Sequence, residues 1–174
     1  MAAASGAIAV VDYGMGNLRS VWQALVHVAD GREIIVTADP VVVAAAERVV
    51  FPGQGAMPDC MRELEARGLH QAILDAAKEK PFLGICIGQQ MLFEHSEEGP
   101  TSGLGLLPGR VCRFASGRTD RRGELLKVPH MGWNEVWQTR PHPLWEGIPD
   151  GARFYFVHSY FAEPADPALT VGSS

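Results

Sequence analysis

The run Phe82-Leu83-Gly84-Ile85-Cys86-Ile87-Gly88-Gln89-Gln90-Met91-Leu92-Phe93 constrains this chain more than any other stretch. A short apolar segment, the pattern of a buried strand, passes directly into an amphipathic one, with a single thiol between them and glycine two residues away on either side. Glycines at both flanks let the backbone take a sharp strand-to-helix turn that thrusts the side chain between them into the open. This is the geometry of a nucleophile elbow, with Cys in place of Ser. A cysteine so placed sits at a helix N-terminus, where unpaired N–H groups and the helix dipole favour the thiolate. The competing reading is an inert cysteine buried in the core.

Upstream of the elbow, strands and helices alternate. Ala7 to Val11 reads as a strand, Gly14 and Gly16 as a turn, and Asn17 as the cap of a helix reaching Ala29. In that helix Leu18, Val21, Trp22, Leu25 and Val28 recur at three- and four-residue spacing and predict its core-facing stripe. The glycine pair lacks the third glycine of a dinucleotide fingerprint, because Arg19 stands in its place, so a plain tight turn is the reading. Glu33 to Val36 predicts a second strand, Val41 to Glu47 a short helix, and Arg48 to Phe51 a third strand that stops at Pro52-Gly53-Gln54-Gly55. Two glycines around Gln54 leave backbone N–H groups accessible, as an oxyanion hole requires; a turn that needs positive φ accounts for them more simply. Helices over Pro58 to Arg67 and Leu69 to Lys80 break at Gly68, with Cys60 beside the Met57, Met61 and Leu64 stripe in a structural role.

This alternation predicts an α/β fold, a mostly parallel sheet flanked by helices, with its site at the carboxyl ends of the strands. After Gly99 the pattern changes. Gly103, Gly105, Pro108 and Gly109 predict a turn region, followed by a short strand from Val111 to Phe114. Gly132 to Trp137 and Arg153 to His158 predict an antiparallel addition, separated by Pro141-His142-Pro143.

At 174 residues the chain suits one domain with a core of its own. Its net charge of -5 argues against sequence-independent nucleic-acid binding, and Arg118, Arg121 and Arg122 read as part of a solvated loop rather than a phosphate site. Three cysteines, Cys60, Cys86 and Cys112, without a C-x-x-C spacing point to a reducing compartment and to neither a disulfide framework nor a zinc site. No metal or organic cofactor is expected. No Lys or Arg precedes Arg19, so the start lacks the charged region of a signal peptide, and no apolar run is long enough to span a bilayer. The expectation is a soluble, cytoplasmic protein.

Four motifs in one register carry a resemblance. Gly84-Ile85-Cys86-Ile87-Gly88-Gln89-Gln90, Pro52-Gly53-Gln54-Gly55, Pro129-His130-Met131-Gly132-Trp133-Asn134 and Phe154-Tyr155-Phe156-Val157-His158-Ser159-Tyr160 together resemble a class I glutamine amidotransferase. The last two are similar, more narrowly, to the glutaminase subunits of imidazole glycerol phosphate synthase in histidine biosynthesis. The resemblance implies that Cys86 is the nucleophile and forms a glutamyl thioester. It implies that the N–H groups of Ile87 and of Gly53, Gln54 and Gly55 hold the oxyanion, and that Gln90, Ser159 and Tyr160 meet the amino-acid end of glutamine. Ammonia would pass to a (β/α)₈-barrel cyclase partner, with Asn17 and Trp133 on the partner-facing surface.

Two departures accompany these matches. Gln54 stands where a small apolar residue is expected. The family's triad is completed by His and Glu in a late His-Pro-Glu segment, and no such segment occurs before Gly172-Ser173-Ser174. The expectation is therefore a single glutaminase domain over residues 1–174 with its C-terminal part missing; the alternative is a non-catalytic docking fragment or regulatory subunit. His130 and His158 stand nearest the site motifs and are candidate bases. His27 and His70 in helices, His95 on the helix after Cys86, and His142 in the proline-rich loop read as core, cap or surface residues.

Overall fold

The computed structural model describes residues 6–119 and 122–174. The opening residues 1–5 and Arg121 of the arginine group lie outside the described residues.

Four short apolar runs build the first layer: β1 (Ile8–Val11), β2 (Ile34–Thr37), β3 (Arg48–Gly53) and β4 (Phe82–Cys86). They form a parallel sheet in the order β2-β1-β3-β4. Parallel strands are joined by crossovers that cover both faces, and the central pair shows it, since β1 is buried along its whole length. Successive side chains of β1 serve opposite faces. Ala9 and Val11 join Val49, Phe51, Met57, Leu64 and Ile73 in the larger core, while Ile8, Val10 and Val50 meet Leu18, Val21 and Leu25 on the other face. Each buried Val, Leu, Ile or Phe contributes about 1.5–3 kcal/mol, so the crossover helices are held chiefly by these contacts.

The helices are α1 (Leu18–Val28), α2 (Pro40–Ala45), α3 (Met57–Ala66), α4 (His70–Glu79) and α5 (Ile87–Gln90). Asn17 caps α1 as expected, its side chain accepting from the Ser20 N–H at 3.3 Å. The predicted stripe of α1 is only half realised. Leu18, Val21 and Leu25 pack against the sheet, whereas Trp22 and Val28 are 40% and 71% exposed.

The largest correction concerns the segment after the elbow. The apolar spacing from Ile87 to Phe93 predicts a sustained helix carrying His95; α5 instead stops after four residues. A strand, β5 (Phe93–Ser96), follows and pairs with β6 (Thr101–Ser102) and β7 (Leu107–Arg113). Tertiary pairing wins over a short helical period here, because Phe93 and Ser96 are buried on that sheet while Glu94 and His95 face outward. Pro108 and Gly109 likewise lie inside β7 rather than in a turn. A Cβ on Gly109 would stand 2.5 Å from the Glu163 carbonyl, which is why glycine occupies that strand position.

The antiparallel addition is present as β8 (His130–Gln138) and β9 (Ala152–His158), joined in register from His130 opposite His158 to Val136 opposite Ala152. Two further strands, β10 (Tyr160–Pro164) and β11 (Gly172–Ser173), divide it into two sheets of order β10-β7-β5-β6 and β11-β8-β9. Among the described residues, no helix is long and apolar enough to cross a membrane.

Candidate active site

Cys86 closes β4 with φ 57° and ψ -121°, a backbone conformation that residues with a side chain rarely adopt. Its thiol is exposed. The two flanking glycines show why the chain can turn here. A Cβ on Gly84 would stand 2.8 Å from the Gln89 α-carbon, and one on Gly88 would stand 1.9 Å from the Phe51 carbonyl oxygen. Both clashes are with backbone, so only glycine lets the first turn of α5 fold back over β4 and lie against β3. The elbow expected from the sequence is therefore present, but the helix behind it is a single turn and brings correspondingly little dipole to the sulfur.

The end of β3 lies beside the elbow. Gly53 is the register partner of Cys86, and β3 runs two residues beyond Phe51 to reach it. Gln54, Gly55, Cys86, Ile87, Gln90, Ser159 and Tyr160 then line one cavity of about 270 Å³. Seven of the predicted site residues thus meet in one place; Gly53 is not in the cavity wall and stands next to Cys86 within the sheet. A larger cavity of about 570 Å³ also touches Cys86, Gln90, His158 and Tyr160 and extends toward Trp145 and Tyr155.

Gln90 is 8% exposed. Its Nε2 donates to the Tyr160 carbonyl at 3.4 Å, and its Oε1 is buried without a hydrogen-bond partner. A buried acceptor left unpaired costs about 1–3 kcal/mol, which suits a side chain whose second partner is a ligand. Glu98, which sequence reasoning missed, lines the same cavity. One of its carboxylate oxygens accepts the Met57 N–H at 2.8 Å and so caps α3, whose own cap residue, Ala56, has no side-chain acceptor. The only signal for Glu98 was its place in the acidic Glu97-Glu98 pair, which reads as surface charge until β5 and β6 fold it inward.

His158 lines the cavity and His130 stands behind it. The His158 Nδ1 lies 3.0 Å from the Tyr160 carbonyl, which can only accept, so Nδ1 carries the proton. Nε2 is left as the acceptor and meets His130 Nδ1 at 3.2 Å. Both ring nitrogens of His158 are engaged, and burial followed by the neighbouring His130 holds its basicity below that of a free histidine, against the Tyr160 contact that raises it. His142 caps a short 3₁₀ turn, accepting the Leu144 N–H at 3.2 Å, and His95 lies on β5 rather than on the helix expected for it.

Asn17 and Trp133 do not line the cavity. Asn17 is exposed at the start of α1, and Trp133 is exposed on β8, its ring packed edge-on against Tyr155. Arg118 lines a separate cavity with Lys127 and His130. Among the described residues, no group of three His, Cys, Asp or Glu side chains could hold a metal ion.

The family model for glutamine amidotransferase class-I matches residues 9–173. A protein of Dechloromonas aromatica (strain RCB) called imidazole glycerol phosphate synthase subunit HisH is 69% identical over 173 residues, covering 99% of this chain and 80% of its own. Its namesake from Aromatoleum aromaticum is 67% identical over 168 residues, 96% of this chain and 79% of its own. Among solved structures, a putative GMP synthase subunit from Thermoplasma acidophilum superposes with a TM-score of 0.62 at 17% identity, covering 92% of this chain and 68% of that one. A glutamine amidotransferase from Thermotoga maritima gives 0.54 at 18% identity, covering 90% of this chain and 62% of that one. These two speak for the α/β fold alone.

Proposed function

The chain belongs to the class-I glutamine amidotransferase family, and on that premise we propose that it is the glutaminase subunit of an imidazole glycerol phosphate synthase in histidine biosynthesis. The observation that carries the chemistry is Cys86, held at φ 57° between Gly84 and Gly88 in a cavity it shares with Gln90 and the end of β3.

In this reading the Cys86 sulfur attacks the carboxamide carbon of glutamine and the C=O electrons move to oxygen, giving a tetrahedral oxyanion. The N–H groups of Ile87 and of the Gly53-Gln54-Gly55 segment receive that charge; a single donor of this kind is typically worth about 2.7–4 kcal/mol. Collapse breaks the C–N bond, the amide nitrogen leaves as ammonia carrying the proton that the Cys86 thiol gave up, and a glutamyl thioester remains. Water then attacks the thioester, releasing glutamate and the free thiol. Gln90 offers its unpaired Oε1, Glu98 its second carboxylate oxygen, and the Ser159-Tyr160 segment its backbone; together they suit the α-ammonium and α-carboxylate of a free amino acid. Ammonia passes to a (β/α)₈-barrel cyclase subunit, giving a heterodimer in the cytoplasm whose joint product comes from a lyase reaction.

The test is ammonia release from glutamine by this chain mixed with the cyclase and its nucleotide ligand, with Cys86→Ala alongside. Turnover that disappears in the variant is expected; turnover that persists, or binding without any turnover, overturns the catalytic half of the proposal. For docking, Trp133→Ala is expected to weaken cyclase binding about tenfold or more, as loss of an exposed aromatic anchor does, with the thermal midpoint unchanged. Unchanged affinity would remove Trp133 from the interface.

A further inference from the structure

Beneath the end of β3 lies a column of three groups that the glutaminase chemistry does not itself use. Cys60, on the first turn of α3, is fully buried, and its Sγ lies 3.6 Å from the carbonyl oxygen of Gln54. A carbonyl only accepts, so the thiol is the donor. Near the thiol stands the hydroxyl of Tyr13, itself fully buried, which donates to the Met91 Sδ at 3.7 Å. Tyr13 also sets the floor under Gly53, where a Cβ would stand 2.6 Å from its hydroxyl oxygen.

The peptide joining Gln54 to Gly55 is planar and trans, so its C=O and N–H point in opposite directions. A carbonyl drawn toward the core by Cys60 turns the Gly55 N–H away from the core, and the open side there is the cavity that Gln54, Gly55, Cys86 and Ile87 share. Glycine on both sides of Gln54, with Gly55 at φ +112°, gives this peptide little steric preference of its own. The Gln54 carbonyl takes its hydrogen bond from Cys60.

We propose that Cys60 is a positioning residue for the oxyanion-binding segment, its thiol holding the Gln54 carbonyl inward so that the Gly55 N–H faces the reacting carbon on Cys86. The inference rests on the glutaminase reading above. Burial, opposed by the Tyr13 contact, raises the Cys60 thiol above its ordinary range, which keeps it protonated and able to donate. The neighbouring Tyr13 hydroxyl is itself raised, first by burial and then by Cys60.

Three substitutions separate positioning from packing. Cys60→Ser keeps a donor, Cys60→Ala removes it, and Cys60→Val removes it while filling the space. With the cyclase present, Ala and Val are expected to lower kcat about 10- to 100-fold with KM within about twofold of wild type, somewhat less than the loss of a whole oxyanion donor. Ser is expected to stay within about threefold of wild type. A second readout needs no turnover. A glutamine analogue bearing a halomethyl ketone in place of the carboxamide develops an oxyanion when Cys86 attacks, whereas iodoacetamide does not. The Ala and Val variants should label about tenfold more slowly with the ketone and at the wild-type rate with iodoacetamide. Equal ketone labelling in all four folded proteins, or a loss that Ser fails to rescue, overturns the inference. A wild-type chain that neither releases ammonia nor reacts with the ketone overturns the glutaminase reading instead.

Discussion

Gly53 stands opposite Cys86 in the register between β3 and β4, so the nucleophile and the segment that offers N–H groups to its oxyanion are cross-strand neighbours. Adjacent strands lie about 4.8 Å apart, close enough for one carbonyl group to touch both. The alignment follows from β3 running through Pro52 to Gly53 while β4 stops at Cys86. Four expectations test how this arrangement is built.

The backbone at Cys86 is held where a side chain costs of the order of 1–3 kcal/mol. Cys86→Gly relieves that cost and loses roughly 0.4–1 kcal/mol to the freer unfolded chain. The variant should be about 1 kcal/mol more stable than wild type in urea denaturation and wholly inactive. A destabilised variant would mean that the elbow stores no strain.

Gly88→Ala places a methyl group 1.9 Å from the Phe51 carbonyl oxygen, a backbone atom that cannot swing aside. A loss of more than about 3 kcal/mol, or failure to accumulate as folded protein, is expected from such overpacking. Gly105→Ala is the control, since its φ is +63° but nothing lies within 4 Å of the added carbon. It should cost only about 1 kcal/mol. A loss at Gly88 no larger than that at Gly105, measured by thermal unfolding, would mean that the chain relieves the contact with Phe51.

Gln90→Leu removes an acceptor that has no partner and a long hydrogen bond of 3.4 Å to Tyr160. Stability should change by less than about 1 kcal/mol, because no buried polar group loses a strong partner. The KM for glutamine should rise about tenfold or more while kcat falls less. A change confined to kcat would take Gln90 out of substrate binding.

His158 is held below its free-solution basicity by burial, so the folded state resists its protonation. The unfolded chain then binds more protons as pH falls through the ordinary histidine value of about 6.5, and stability contributed by the neutral ring is present above that pH and lost below it. Urea midpoints measured at pH 8 and pH 5.5 should fall further for wild type than for His158→Gln. Parallel decreases in the two proteins would assign the pH dependence to other groups.

The parallel half of the fold was legible because its signals are local. Val-rich strands, the Asn17 cap, the break at Gly68 and the glycines around Cys86 each depend on residues a few positions apart. The second half was less so. Nothing local to Phe93-Glu94-His95-Ser96 distinguishes a strand from the last turns of a helix; β7, whose pairing residues lie from Leu107 to Val111, decides it. The site shows the same division. Cys86, Gln90 and the Gly53-Gln54-Gly55 segment were visible as motifs, whereas Glu98 and the Cys60–Gln54 contact depend on where α3 meets the elbow.

The elbow is specified by what Gly84 and Gly88 lack rather than by what residue 86 carries. The reacting atom is thus an interchangeable part on a fixed mount. A serine would sit at the same point with the same neighbours, so a change of nucleophile takes one substitution and leaves the frame alone. A change of frame would require Phe51, Gln89 and both glycines to move together, which makes the turn far harder to redesign than the chemistry it displays.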